Sequence, residues 1–345
     1  MTGKEILLIA LQNKETPRLP VGVLDGHGWI LAQEGKSFQD LFAMDVTENA
    51  QLMAAYYRKL ESDFAYSNGH VFNIVHRILG GEIYADGIGE TISIKKAAFS
   101  EINAYQNFDS AQVMEQAFAT PEYQNVLAQA KTLTALLREE KLVCGLAYGS
   151  FTVAAMLVGA HLFMKALKQQ PDDVVKLIDF ATDLVIRSME KFVETGAEAV
   201  FIADPVASGD LIGPAVYEAF ALPALKKVCA RFNSMDIPVF CHVCGKTENR
   251  LQPMIESGVA AFSVDSIDLD TALAVSRGHY TLMGNVSPFA VLMDKTPDEV
   301  RAICDALAVV AGRSGGYVMF PGCDLAPQTP LENVKAMVAA AYNAP

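Results

Sequence analysis

Positive charge is scarce in this chain. Its 345 residues carry 27 Lys and Arg against 40 Asp and Glu, a formal net charge of −13 at pH 7. Nucleic acids and anionic membrane surfaces want clustered cations, so this balance argues against both as partners. Cysteine is sparse as well: six residues are too few for a disulfide scaffold. No secretory signal opens the sequence; the stretch GKEILLIALQNK reads instead as a short amphipathic helix. The thiols are therefore expected to be reduced and the protein cytoplasmic. Tryptophan occurs once, at Trp29. No Gly-x-Gly-x-x-Gly follows the first apolar run, which weakens a nucleotide-binding reading. Repeats and low-complexity linkers are absent too, and 51% hydrophobic against 19% charged residues excludes disorder.

Formal charge is missing altogether from Leu142 to Met164, a run long enough to span a bilayer. Gly145, Gly149, Ser150, Gly159 and His161 punctuate it. That spacing predicts a buried strand over 142–148, a turn and then a buried helix, and no membrane span.

What the chain does have is a rhythm of short apolar, β-rich runs. They are LPVGVL (19–24), DFAYSN (63–68), LVCGLAY (142–148), EAVFIAD (198–204), IPVFCHVC (237–244), AAFSVD (260–265), YTLMGNV (280–286) and YVMFPGC (317–323). The later runs are continuously apolar, as parallel strands covered on both faces require. Between them lie helical patterns with good start and stop chemistry, such as Pro171 to Gly196, Thr296 to Gly312 and Thr247 to Gly258. Eight strand–helix units predict an α/β fold of the (β/α)₈ TIM-barrel type, one domain over residues 1–345. A doubly wound open sheet is the rival, because periodicity does not reveal closure. Residues 69–141 exceed one loop and helix; they are expected to form an insertion over one end of the barrel, with GGEIYADGIGETIS as a small hairpin.

Barrel sites gather at the C-terminal strand ends. Those ends hold Asp25 and His27, Asn68 and His70, Tyr148, Asp204, His242 and Cys244, Asp265, Asn285 and Cys323. His242 and Cys244 are two apart on a strand and share a face. With Cys323 they form one imidazole and two thiols, a set suited to Zn²⁺ with a fourth position open. Core packing is the competing reading of a His-x-Cys pair on an apolar strand. It is also the reading taken for Cys144, Cys229, Cys241 and Cys304, and for His76, His161 and His279. Asp204, Asp265 and Asn285 could orient substrate or back the metal ligands, or simply cap helices and loops. The loop DGHGWIL places Trp29 beside Asp25 and His27, where an aromatic methyl ether could stack, although a tryptophan more often marks a packed loop.

From about Pro171 onward the chain resembles the uroporphyrinogen decarboxylase superfamily. The likeness is greatest to its zinc-dependent corrinoid methyltransferases, of the methylcobamide:coenzyme M methyltransferase type. GAEAVFIADPVASGDLIGPAVYEAFALPALKKV, FCHVCGKTENRLQPMIESG, FSVDSIDL, LMGNVSP and PGCDLAPQTPLENVKAMVAAA carry it. The resemblance implies that His242, Cys244 and Cys323 bind zinc. It implies a thiol acceptor such as coenzyme M, activated there to take a methyl group from methylcobalamin held by a separate corrinoid-binding protein. Demethylation of a methoxy-aromatic or other donor and transfer to a folate are alternatives within the class; a metal-binding scaffold for a corrinoid protein is the non-enzymatic one. True uroporphyrinogen decarboxylases carry an Arg-rich segment after the first strand to meet substrate carboxylates. Here that place reads LDGHGWIL, without Arg, so porphyrinogen decarboxylation is not expected.

Overall fold

The computed structural model describes every residue except 26, 68–70, 85–86, 90–91, 314 and 345. Its strands are β1 (Phe64–Ser67), β2 (Glu82–Tyr84), β3 (Ser93–Lys96), β4 (Leu142–Tyr148) and β5 (Ala199–Ala203), followed by β6 (Val239–His242), β7 (Ala261–Ser263), β8 (Thr281–Val286) and β9 (Tyr317–Pro321). Seven of them pair in the order β1-β4-β5-β6-β7-β8-β9, every pair parallel. Helices return the chain between successive strands, as parallel neighbours demand.

The remaining barrel stave is the run at 19–24, which is less regular than its composition predicts. Pro20 has no N–H to give, and only Val21 forms a bridge, to Met319. The segment is nonetheless held on both sides. Gly22 N–H donates to Met319 O at 3.1 Å and Met319 N–H to Pro20 O at 2.9 Å. On the other side Asp63 N–H donates to Val21 O at 2.8 Å, while Val21 N–H donates to the Asp63 carboxylate at 2.8 Å. Arg18 clamps that carboxylate with two bonds of 2.8 and 2.6 Å. The rival open sheet is thereby excluded: the structure is a closed α/β barrel.

Aromatic side chains fill the barrel interior. Phe64 packs on Phe320 with ring centroids 5.5 Å apart and on Tyr66 at 5.4 Å, and Tyr66 meets Phe201 at 5.1 Å. Phe240 closes the layer against Phe201 at 6.3 Å. Phe240 and His242 share the inward face of β6, so the layer lies directly beneath the histidine. Room for it comes from Gly22, where an added Cβ would fall 2.0 Å from the Phe64 ring.

Between β1 and β4 the chain makes its excursion. β2 and β3 form an antiparallel hairpin, Ile83 opposite Ile94. The helix Val71–Ile78 pins it through His76 Nε2, bonded to Lys96 O at 2.9 Å. The hairpin reaches the first-strand loop: Ile88 bridges Ser37, and Gly89 N–H donates to Lys36 O at 3.1 Å.

The uncharged run becomes β4 followed by Ser150–Val158, a helix that is buried at almost every position. It differs from expectation at Gly159 (φ 83°), where the chain turns sharply into a second helix, Ala160–Gln169, at 106° to the first. Among the described residues no single helix is long and apolar enough to cross a membrane. The predicted helix at 247–258 also divides, into a 3₁₀ turn, Glu248–Arg250, and a short α-helix, Leu251–Ile255.

Gly22→Ala is expected to lower stability by about 1–3 kcal/mol, because Phe64 and its stack must shift to admit a methyl group. Urea denaturation measures it; a midpoint equal to wild type would show that the layer tolerates the change.

Candidate metal centre

β6 ends at His242 and the chain continues through Val243 to Cys244, while Cys323 follows β9 by two residues. One ligand atom from each of His242, Cys244 and Cys323 lies within 4.8 Å of the others. His242 is 3% exposed. Its Nδ1 lies 3.0 Å from Ser263 Oγ, and Nε2 is buried without a hydrogen-bond partner. With the proton on Nδ1 and donated to Ser263, the Nε2 lone pair is free for a metal. The neighbouring Cys323 holds the Cys244 thiol below its ordinary range, whereas Cys323 is pushed up by Cys244 and by burial.

These observations meet the requirements of Zn²⁺: a partnerless imidazole nitrogen, two convergent sulfurs and an accessible fourth side. Cys241 faces the other way. It is 1% exposed, and burial raises its thiol well above the usual range, as for an inert core cysteine.

Asp265 lies against both thiol loops. Asp265 Oδ2 accepts from Gly245 N–H at 2.9 Å, beside Cys244. Its other oxygen lies against Gly322, beside Cys323, where an added Cβ would approach to 2.5 Å. Asp265 therefore spans both thiol loops.

The cluster opens on a cavity of about 160 Å³ whose walls are mostly apolar, among them Leu24, Phe38, Leu146 and Leu325. Asp25 and Tyr148 also line it. Asp25 accepts from Trp29 N–H at 3.0 Å and Ile30 N–H at 3.3 Å, so it anchors the start of the helix Gly28–Gln33. Burial and the nearby Asp324 raise its pKa to about 7. Burial likewise takes Tyr148 up to about 12.

Other strand-end candidates stand elsewhere. The Trp29 indole is fully buried, donates to Thr329 O at 2.8 Å and meets the Tyr56 ring edge-on. It is a packing residue and offers no stacking face to the cavity. His27 is buried with φ 74° at the start of the same helix and does not line the cavity. Asp204 accepts from Thr152 N–H at 2.9 Å and from the Thr152 hydroxyl, so it caps the helix Ser150–Val158; burial raises its pKa to about 6. Asn285 donates to Ile267 O and also lies off the cavity wall. Asn68 and His70 fall outside the described residues. His76 is buried, but His161 and His279 are exposed rather than packed in the core.

Two contributors escaped the strand-end survey. Ser263 pairs in register with His242 across β6 and β7, and a lone hydroxyl within the apolar run AAFSVD was its signal. Asp324, next to Cys323, lines the cavity; its only signal was that adjacency.

Closed parallel barrel and thiol–imidazole cluster together define an α/β-barrel protein with a candidate metal centre at the C-terminal mouth. The uroporphyrinogen decarboxylase family model matches residues 2–344, and the chain belongs to that family. It is 28% identical to methylcobamide:CoM methyltransferase MtbA of Methanosarcina mazei, over 99% of this chain and 98% of that protein. It is 29% identical to methylcobamide:CoM methyltransferase MtaA of Methanosarcina barkeri, over 98% and 97%. A solved methyltransferase from Methanosarcina mazei superposes with a TM-score of 0.85 at 26% identity, covering 99% of this chain and 98% of that one. Within the family the chain stands with the methyltransferases.

Cys323→Ala is expected to lose most of the zinc that the purified wild type retains, measured as metal per chain; unchanged content would remove Cys323 from the site. Ser263→Ala should weaken zinc binding about 10–100-fold by freeing the imidazole to rotate, as chelator competition would read. Stability should fall as pH rises from about 4, the unfolded carboxyl value, toward the folded values of about 7 for Asp25 and about 6 for Asp204. In that window the folded chain keeps protons that the unfolded chain has released. Asp25→Asn should flatten the decline in urea midpoint; an unaltered slope would place the proton elsewhere.

Proposed function

We propose that this chain is a zinc-dependent methyltransferase moving a methyl group between a corrinoid on a separate protein and a small thiol. Coenzyme M, the acceptor in the relatives' names, is the reference acceptor. The observation that carries the reading is the convergence of His242, Cys244 and Cys323 within 4.8 Å at the mouth of an apolar cavity. The full-length similarity to methyltransferases supports it. Residues 1–345 would act as one barrel, with about 69–141 as its excursion. The six unpaired cysteines suit a reducing cytoplasm.

Zinc held by the three ligands would supply the Lewis acidity that lowers the pKa of a substrate thiol at the fourth position. Ser263 orients the imidazole, and Asp265 bonds the Cys244 loop while lying against Gly322 beside Cys323. Cys244 and Cys323 as thiolates would offset the metal charge and so keep a substrate sulfur nucleophilic. Leu24, Leu146 and Leu325 exclude water from the reacting sulfur. That sulfur would attack the methyl carbon of the corrinoid substrate, so that an S–C bond would form while the Co–C bond broke with its electron pair left on cobalt and the thiol proton passed to solvent. The methoxyarene alternative leaned on Trp29, whose burial removes that support.

Zinc-loaded protein incubated with methylcobalamin and a panel of thiols should demethylate the corrinoid, followed by its absorbance, and Cys323→Ala should abolish this. Metal binding with no demethylation by any thiol, and no reverse transfer from methoxyarenes to Co(I), would identify a metal-binding scaffold instead.

A further inference from the structure

Three residues stand in one register row at the mouth. Tyr148 on β4 pairs with Ala203 on β5, and Ala203 pairs with His242 on β6. Side chains in one row of a parallel sheet point the same way, and all three line the cavity that meets the thiol–imidazole cluster. Neighbouring strands lie about 4.8 Å apart, so the phenol and the imidazole rise from positions about 10 Å apart. Between them stands only the methyl group of Ala203, which leaves a gap in the row. A small molecule lying over Ala203 has the candidate metal ligands at one end and Tyr148 at the other.

The Tyr148 hydroxyl has no hydrogen-bond partner among the described residues. Other tyrosines do: Tyr56 bonds Glu34, Tyr123 bonds Ser188, Tyr280 bonds Leu251 O and Tyr317 bonds Gly284 O. Tyr66 and Tyr105 lack a bond too, but their hydroxyls are sealed in packing. Tyr148 is half-buried, and its hydroxyl is not so enclosed. Burial and the nearby Asp324 raise its pKa to about 12, so the phenol keeps its proton at neutral pH and is a donor. Outside the cluster the rest of the described wall is apolar or glycine, apart from the acids Asp25 and Asp324. A hydroxyl set in such a wall rewards a ligand that brings an acceptor and penalises one that leaves it dry.

We propose that Tyr148 selects the acceptor thiol. Its hydroxyl donates to an oxygen at the far end of a short thiol whose sulfur meets His242, Cys244 and Cys323. This rests on the methyl-transfer reading above and adds to it a specificity-determining residue: the substrate class is a thiol with a hydrogen-bond-accepting oxygen beyond a two-carbon chain.

Titration calorimetry of 2-mercaptoethanesulfonate and 1-propanethiol into zinc-loaded wild type and Tyr148→Phe tests this without a corrinoid. Phenylalanine keeps the ring and removes only the hydroxyl. The sulfonate thiol should bind the variant about tenfold or more weakly, and propanethiol should stay within about twofold. A merely structural role would shift both thiols alike, so equal shifts, or no shift for the sulfonate, overturn the proposal. With methylcobalamin added, the loss should appear chiefly in the KM of the sulfonate thiol. Demethylation by both thiols with no selective loss in the variant sinks the role of Tyr148 and leaves the methyl-transfer reading standing. Selective loss of sulfonate binding with no demethylation by any thiol sinks that reading and sustains Tyr148 as the recognition residue.

Discussion

The hydrogen bonds that seat residues 19–24 between β9 and β1 hold the barrel closed, and the site exists only because it is closed. β6 and β9 are three places apart in the sheet. In a flat sheet that separation would be about 14 Å, beyond the reach of two cysteine side chains toward one ion. Curling the sheet until its last strand meets the first segment brings the Cys244 and Cys323 sulfurs and the His242 ring within 4.8 Å. Pro20 and Gly22 weaken the ladder at the seam, and Asp63 compensates. Its backbone and carboxylate both bond Val21, while Arg18 offsets the carboxylate's buried charge. The clamp sits at the N-terminal end of the staves, opposite the mouth, which separates stability from chemistry.

Above the aromatic layer the environment turns from packing to electrostatics. The mouth is dry enough to raise Asp25 and Tyr148 far from their ordinary values, yet it admits the carboxylate of Asp265, bonded to Gly245 N–H and lying against Gly322. The candidate ligands, Asp265 and the orienting hydroxyl come from three strands, β6, β7 and β9, and the turns that leave them. The other half of the wall comes from the first-strand loop and the hairpin excursion, through Leu24, Asp25 and Gly89.

The strands were legible because continuous apolar runs bounded by Gly, Pro and acids leave little else to form. All eight predicted runs correspond to staves of the barrel. His242 and Cys244 were legible from the two-residue period of a strand, and Cys323 from its place at the end of the last one. Trp29 resolves to the packed-loop reading: the helix it begins turns the indole inward to Thr329. Asp204 stands at a strand end as a catalytic group would, and it caps a helix because Thr152 lies within reach only after folding.

By itself the sequence determined the alternation of strand and helix and the one-face placement of His242 and Cys244, since both follow from local periodicity. It also determined the scarcity of cations, a matter of composition. Tertiary structure alone decided that the sheet closes, that Cys323 meets His242 and Cys244, that Ser263 bonds the imidazole, and that no Lys or Arg turns into the described cavity wall. Those facts depend on contacts between residues far apart in the chain, and local pattern carries no information about which distant side chains will share a space.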